Sequence, residues 1–310
     1  MASSEDIIAI TCAAGHQCEY TVPLLYGKVS LRLVVNSDKS VEKLKAKYPK
    51  AEVIKANMLF PPDCARIVRG AAGLLVIGPS AAAGEKEMGL NMVNAAMDES
   101  EAPASRFQHF VYSSVLNTQI RKMYNHDDKR YVEEALILST LNYTILQSGD
   151  FLEIALPAKQ WLQMDKPYRT THIGQDSRSS FVALKDLAEV TGKVFLEREP
   201  HYAALYPLVS ISEITYGEGA RQIGLLIGKE IEIRELAFND GVDWLLENVF
   251  GRKENIPIKT LDTMAYLVLH YKKRGIRGNS NVLEWLLGRK PTDLADYVQS
   301  KKAEIEAELK

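Results

Sequence analysis

The sequence predicts an α/β fold: a doubly wound parallel sheet followed by a smaller α+β lobe. Three observations carry this. Six short apolar runs recur between residues 7 and 147, helical patterns separate them, and the rhythm loosens after Gly149. Runs that are apolar at nearly every position suit strands buried on both faces, as in a parallel sheet covered by helices. Strand–helix repetition with right-handed crossovers then gives the doubly wound arrangement.

The runs come in order. Ile7-Ile8-Ala9-Ile10 is the first, and a helix follows it. Pro23 is tolerated only in a first helical turn, so this helix is expected to begin late, near Thr21, or to be distorted. Leu31 to Val35 is the second run, with a Lys/Glu-rich helix from Ser40 through Lys47. Glu52-Val53-Ile54 precedes a helix opened by Pro61-Pro62-Asp63, and Leu74 to Ile77 precedes one from Glu85 to Met97. Phe110-Val111-Tyr112 and Tyr143 to Leu146 complete the set. Beyond Gly149, Phe181 to Leu187 and Ile211 to Thr215 read as short strands leading into helices. Leu261 to Tyr271, Val282 to Leu287 and Thr292 to the C-terminus read as helices. The expected division is 1–150 for the sheet domain and 151–310 for the lobe, the two interleaved.

Composition narrows the class. In 310 residues, 38 Lys and Arg face 40 Asp and Glu, for a formal net charge of -2. That balance gives no electrostatic reason to expect nucleic acid or an anionic membrane as partner. The basic run from Lys272 to Arg277 follows an apolar helical pattern and reads as a solvated helix end. Three cysteines argue against a disulfide framework and for a reducing compartment. The start of the chain lacks a basic segment, and no run approaches the roughly 18 apolar residues of a membrane span. A cytoplasmic protein is expected.

The turn after the first strand, "ITCAAGHQCE" (Ile10 to Glu19), stands where a dinucleotide-binding protein places glycines. One glycine permits the tight turn, a second lets the backbone approach the pyrophosphate, and a third allows close helix–strand packing. Here the three steps are Cys12, Gly15 and Cys18. Cysteine is small enough to pack, but Cys12 carries a cost if its φ is positive. A working cofactor loop and a vestigial one both fit these letters.

Other segments supply a frame. Thr11, Ala13, Gly15 and Gln17 match the pattern T-G-A-T-G-x-Q-G, whereas Cys12, Ala14 and Cys18 depart from it. "HFVYSSV" (His109 to Val115), "KRYVEEAL" (Lys129 to Leu136) and "LNYTILQSGDFLE" (Leu141 to Glu153) follow in order. Together with the tail "GNSNVLEWLLGRKPTDLADYV", these resemble the NmrA-like proteins, fungal members among them, an atypical branch of the short-chain dehydrogenases/reductases. The resemblance implies a Rossmann-type domain, a substrate lobe and an NADP(H) site. It leaves three functions open: a reductase of a hydrophobic small molecule in fungal specialised metabolism, a redox-neutral isomerase, dehydratase or cyclase, and a non-catalytic NAD(P)-sensing regulator that binds another protein.

The resemblance also distributes roles. Cys12, Gly15, His16 and Gln17 form the phosphate turn. Asn36 stands where the family has an Arg, so Lys39 is the remaining reader of a 2′-phosphate; Ser37 and Asp38 equally form a simple turn before a helix. Asn57 offers an amide to the adenine, and Gly78-Pro79 either lines the ribose or is an ordinary turn. Lys129 matches the family's Lys. A Tyr-x-x-x-Lys pair would put both groups about 40° apart on one helix face, whereas Tyr124, five residues before Lys129, lies about 140° away. Asn125 and His126 do share the Lys129 face. His126 titrates near neutrality and is the available acid/base, with Asn125 and Asp128 alternatively a helix cap. Ser113 and Ser114 end the fifth strand, where ligands enter: Ser113 is expected in the substrate pocket, Ser114 could assist proton transfer, and one of the two could instead only cap or turn. Gln147 replaces the Arg of the family's "TILRP" segment, and Asp150 and Phe151 follow it toward the substrate pocket. The histidines and cysteines show no metal-ligand spacing.

Overall fold

The computed structural model describes residues 3–80, 82–251 and 254–309. It contains two compact units. Unit 1 comprises Met1–Arg121, Asn125–Gln147 and Leu187–Tyr206; unit 2 comprises Lys122–Tyr124, Ser148–Asp186 and Pro207–Lys310. The chain leaves unit 1 after Gln147 and returns to it at Leu187.

In unit 1, β1 (Ile7–Ile10), α1 (His16–Leu25), β2 (Ser30–Val35), α2 (Asp38–Lys47) and β3 (Glu52–Lys55) come first. Then follow α3 (Pro61–Val68), β4 (Gly73–Ile77), α4 (Glu85–Glu101), β5 (His109–Val115), α5 (Tyr124–Ile137) and β6 (Tyr143–Ser148). A seventh strand, Ala204–Leu208, joins the edge, giving the order Ala204–Leu208, β6, β5, β4, β1, β2, β3. The six sequence-read strands are all present, and this seventh escaped detection because Pro207 interrupts its pattern. β1 pairs in parallel with both β2 and β4, so the order reverses beside β1. Ligands of open α/β sheets bind outside the carboxyl ends of the strands at such a switch point.

Ile8, Ala9 and Ile10 are wholly buried, as double-sided covering requires. The one charged residue inside β2, Arg32, is satisfied by Glu52 at 2.7 Å and by the carbonyls of Ile67 and Arg69 at 2.9 and 2.8 Å. Its partners explain why a buried guanidinium is tolerated. Asp6, at the head of β1, receives Arg198 Nη2 at 2.6 Å and Arg106 at 3.2 Å. The 192-residue separation of Asp6 and Arg198 measures how far the chain travels before unit 1 closes.

Two local expectations are corrected. α1 begins at His16, not near Thr21, and Pro23 lies inside it. Gln17, Cys18, Thr21, Val22 and Leu25 form its buried face, and that packing outweighs the lost hydrogen bond at Pro23. Asn125 does not cap α5, because the helix already includes Tyr124.

Unit 2 holds a three-stranded sheet in the order Ile211–Thr215, Arg178–Val182, Asp150–Phe151, and a parallel pair, Tyr168–Thr171 with Glu232–Glu235. A capping box between Thr215 and Glu218 starts the helix Tyr216–Ile227. The C-terminal helices are Ile258–Lys273, Asn281–Leu287 and Leu294–Glu308, close to the sequence reading, with Lys310 outside the described residues. Phe238–Phe250 is an additional helix. Asp186 ties the C-terminal segment down: it accepts from Ser210 Oγ at 2.7 Å, the Thr292 N–H at 2.8 Å, Thr292 Oγ1 at 2.9 Å and Arg289 at 2.9 Å. No helix among the described residues is long and apolar enough to cross a membrane.

Candidate functional site

The turn after β1 is built by backbone. The Ala13 N–H donates to the Val34 carbonyl at 3.0 Å, and the Gly15 N–H turns back to the Cys12 carbonyl at 2.9 Å. Thr11 clasps the end of β4: its Oγ1 accepts from the Ile77 N–H at 2.8 Å and donates to the Ile77 carbonyl at 2.9 Å. Cys12 has φ +48°, so the left-handed conformation that glycine would adopt freely is imposed on a residue with a Cβ. Burial raises the Cys12 thiol to about 11, the nearby Lys129 charge pulling it down and Glu85 pushing it up. It is a protonated, packed group at neutral pH.

Gly15 caps α1 with no side-chain hydrogen bond, and Ala14, Gly15 and His16 are exposed. The first residue of α1 and its cap therefore lie at the surface, and a helix N-terminus so placed can receive an anion. Gln17 points inward. Its Oε1 accepts from Ser113 Oγ at 2.7 Å, while its buried Nε2 has no partner. A buried donor lacking an acceptor, beside an open helix N-terminus, fits a ligand bearing phosphate oxygens. His16 lies outside, 3.9 Å from Glu19.

The adenine-side candidates are more dispersed. Asn36 and Lys39 are exposed at the end of β2. Ser37 caps α2 by accepting from the Ser40 N–H, and Asp38 pairs with Lys55 at 2.7 Å, so the turn before the helix is real. Lys39 stays available beside it. Asn57 spends its Oδ1 on the Leu59 N–H at 3.0 Å, which stiffens the loop after β3.

At the other end of the cleft the sequence-read residues fall into two networks. Lys129 is buried and forms an ion pair with Glu85, Nζ to Oε1 2.5 Å, beneath the ring of Tyr112 at 5.9 Å. Glu85 lies across the turn read as ribose-lining: a Cβ at Gly78 would stand 2.9 Å from its Oε1 and 3.1 Å from its Cγ. The second network centres on Glu133, which receives Ser114 Oγ at 2.5 Å, Thr118 Oγ1 at 2.8 Å and Gln147 Nε2 at 3.0 Å. Gln147 in place of Arg thus makes an amide contact to a carboxylate already shared by two hydroxyls. The Ser114 hydroxyl donates to Glu133, so its hydrogen is engaged by that carboxylate. His126 is fully enclosed on the Lys129 side of α5. Glu85, Glu133 and Tyr112 were not singled out by sequence reasoning. Glu85 is 44 residues from Lys129, and only its place in a helix's first turn marked it.

Asp150 and Phe151 belong to unit 2. Asp150 accepts from Ser179 Oγ at 2.5 Å, Tyr216 OH at 2.8 Å and Tyr271 OH at 2.7 Å. Burial raises its carboxyl, and the three hydroxyls pull back. It is the hub of a hydroxyl cluster. Tyr124 also belongs to unit 2, its ring 4.9 Å from that of Tyr266. Among the described residues no group of three or more His, Cys, Asp or Glu could hold a metal ion.

The sequence model of the NmrA-like family matches residues 4–304. The chain belongs to the NmrA-like family. Among curated proteins none matches it significantly. Solved structures share the fold at low identity. An Escherichia coli NADPH-dependent quinone oxidoreductase, QOR2, solved with NADPH, has 23% identity and a TM-score of 0.71 over 94% of this chain and 99% of its own. The Citrobacter sp. triphenylmethane reductase, solved with NADP(H), has 19% identity and a TM-score of 0.72 over 95% and 99%. NmrA, a negative transcriptional regulator solved with NADP, has 16% identity and a TM-score of 0.72 over 98% of each chain. At these identities the likeness establishes the Rossmann-like architecture of this family member and nothing finer.

Proposed function

We propose that this NmrA-like protein is a cytoplasmic NADP(H)-dependent reductase acting on a hydrophobic small molecule in fungal specialised metabolism. The observation that carries the reading is the open N-terminus of α1 at the switch point, with the unpartnered Gln17 Nε2 beside it. The nicotinamide cofactors of QOR2 and triphenylmethane reductase support it. The cofactor would supply the hydride; everything else is the work of side chains.

The N–H groups of α1 and Gln17 Nε2 hold the phosphates, with the helix dipole adding to the attraction. Lys39 meets a 2′-phosphate as a point charge in place of the missing Arg. Asn57 keeps its amide NH2 for the adenine edge, since only its Oδ1 is engaged. Gly78 and Pro79 line the ribose. Lys129 binds ribose hydroxyls and polarises the site, and His126, one turn away on the same face, holds the proton that neutralises the carbonyl oxygen. Ser113 orients Gln17. Gln147 contacts substrate from unit 1, and Asp150 and Phe151 are substrate contacts of unit 2. No protein partner is needed for this activity.

Calorimetric titration with NADPH and NADH tests the reading. Micromolar NADPH binding, with NADPH oxidation when quinones or aldehydes are added, is the expected result. Absence of binding to either nucleotide overturns it and favours a redox-neutral reaction in the same cleft, which the pre-formed Glu85–Lys129 pair would suit as an acid/base couple.

A further inference from the structure

Lys129 is presented with its charge already matched from within the chain. Its side chain is 7% exposed and that of Glu85 1%, and their 2.5 Å contact takes one of the ammonium's three donors. The carboxylate is held there on two sides. Below, it rests on Gly78, where a β-carbon would press on its Oε1 and Cγ. Behind, α4 and α5 touch at Gly89 and Val132, four residues after Glu85 and three after Lys129, so each pair lies one helical turn along its own helix. Helix packing therefore sets the two charges face to face.

We infer that Glu85 is an internal competitor for the nicotinamide half of the cofactor, occupying the Lys129 donor that ribose hydroxyls would otherwise take. The inference rests on the proposed dinucleotide reading. A buried ammonium strongly prefers a partner, and exchanging a carboxylate for neutral hydroxyls gives up the ion pair and keeps only ammonium–hydroxyl bonds. Binding of the nicotinamide half is thereby weakened relative to binding of the adenosine half. A specificity consequence follows: ligands with a carboxylate-displacing group at this position are favoured over those with hydroxyls alone.

The test is a calorimetric comparison of NADPH with 2′,5′-ADP, which lacks the nicotinamide ribose, on the full chain and on Glu85→Gln. The amide keeps the shape against Gly78 and removes the charge. The expected result is NADPH binding at least tenfold tighter in the variant, with 2′,5′-ADP changed less than threefold. Adding Lys129→Met to Glu85→Gln abolishes the gain. Equal tightening of both ligands marks a bulk charge effect and overturns it, as does unchanged or weaker NADPH binding; in those cases the dinucleotide reading survives. If neither protein binds either ligand, the dinucleotide reading itself fails and the inference with it. Should Glu85→Gln not fold, Glu85→Asp withdraws the carboxylate from Lys129 by one methylene, and the same selective tightening is expected.

Discussion

Gly89 of α4 lies so close to Val132 of α5 that a β-carbon at position 89 would stand 2.4 Å from Val132 Cγ2. Val132 is wholly buried and stiff at χ1, so it cannot swing away. Gly89→Ala is expected to cost about 1–3 kcal/mol, and Gly89→Ala with Val132→Ala to recover part of it. Chemical denaturation of the two single variants and the double variant checks this. Additive losses would show that the helices do not touch as described.

Cys12 supplies a second expectation. Its φ of +48° stores strain that glycine would relieve. Cys12→Gly is expected to stabilise by a few tenths to about 1 kcal/mol, the gain in strain offset by glycine's chain entropy. A lowered melting temperature would mean that the packing of the thiol outweighs the strain.

The thiols should be inert at neutral pH. Burial pushes Cys12 and Cys64 to about 11 and Cys18 higher still. Because the thiolate is the reactive form, alkylation of the native protein by iodoacetamide should be slow at pH 7 to 8 and accelerate only toward pH 11. Denatured protein should take up three equivalents, one for each cysteine. Rapid labelling of the folded chain near neutrality would contradict the enclosure of these groups.

His109 predicts an acid-side loss of stability. Its Nε2 lies 2.8 Å from Thr144 Oγ1, which itself donates to the His201 carbonyl at 2.5 Å. Thr144 must then accept, so His109 is the Nε2–H tautomer. Burial, then the Arg198 and His201 charges, lower its value to about 3 from 6.5. The unfolded chain therefore binds a proton below pH 6.5 that the folded chain refuses. The stability it contributes is intact above pH 6.5 and is lost as pH falls toward 3. His109→Gln, which keeps a donor, should flatten the melting-temperature profile between those limits. An unchanged slope would remove His109 from the account.

Asp186 anchors unit 2. Asp186→Ala leaves Ser210, the Thr292 hydroxyl and N–H, and Arg289 without their acceptor, an expected loss of about 2–4 kcal/mol. Hydrogen exchange should show the loss first in residues 281–309.

The sequence was a good guide wherever information is local. Apolar runs located β1 to β6, and Pro61-Pro62 and the Lys/Glu pattern located α3 and α2. It was a poor guide to anything decided by packing. Pro23 is carried inside α1 because five buried side chains hold the helix, which no propensity records. Ser114 reads as a strand-end hydroxyl with no marked partner until α5 brings Glu133 against it. Glu85 meets Lys129 only through the contact of two helices far apart in sequence. The phosphate turn was legible as ancestry; its left-handed Cys12 and unpartnered Gln17 amide emerged only in three dimensions.

The Asp6–Arg198 pair also orders events in time. During synthesis the head of β1 emerges early, but its guanidinium partner is made 192 residues later. For that interval a buried-site carboxylate and an incomplete sheet edge await the segment Leu187–Tyr206. A ribosome stalled near residue 150 would carry a sheet lacking its closing strand, a species prone to pairing with other chains. The protein commits to its first fold only after the opening stretch of its second, Ser148–Asp186, has been translated.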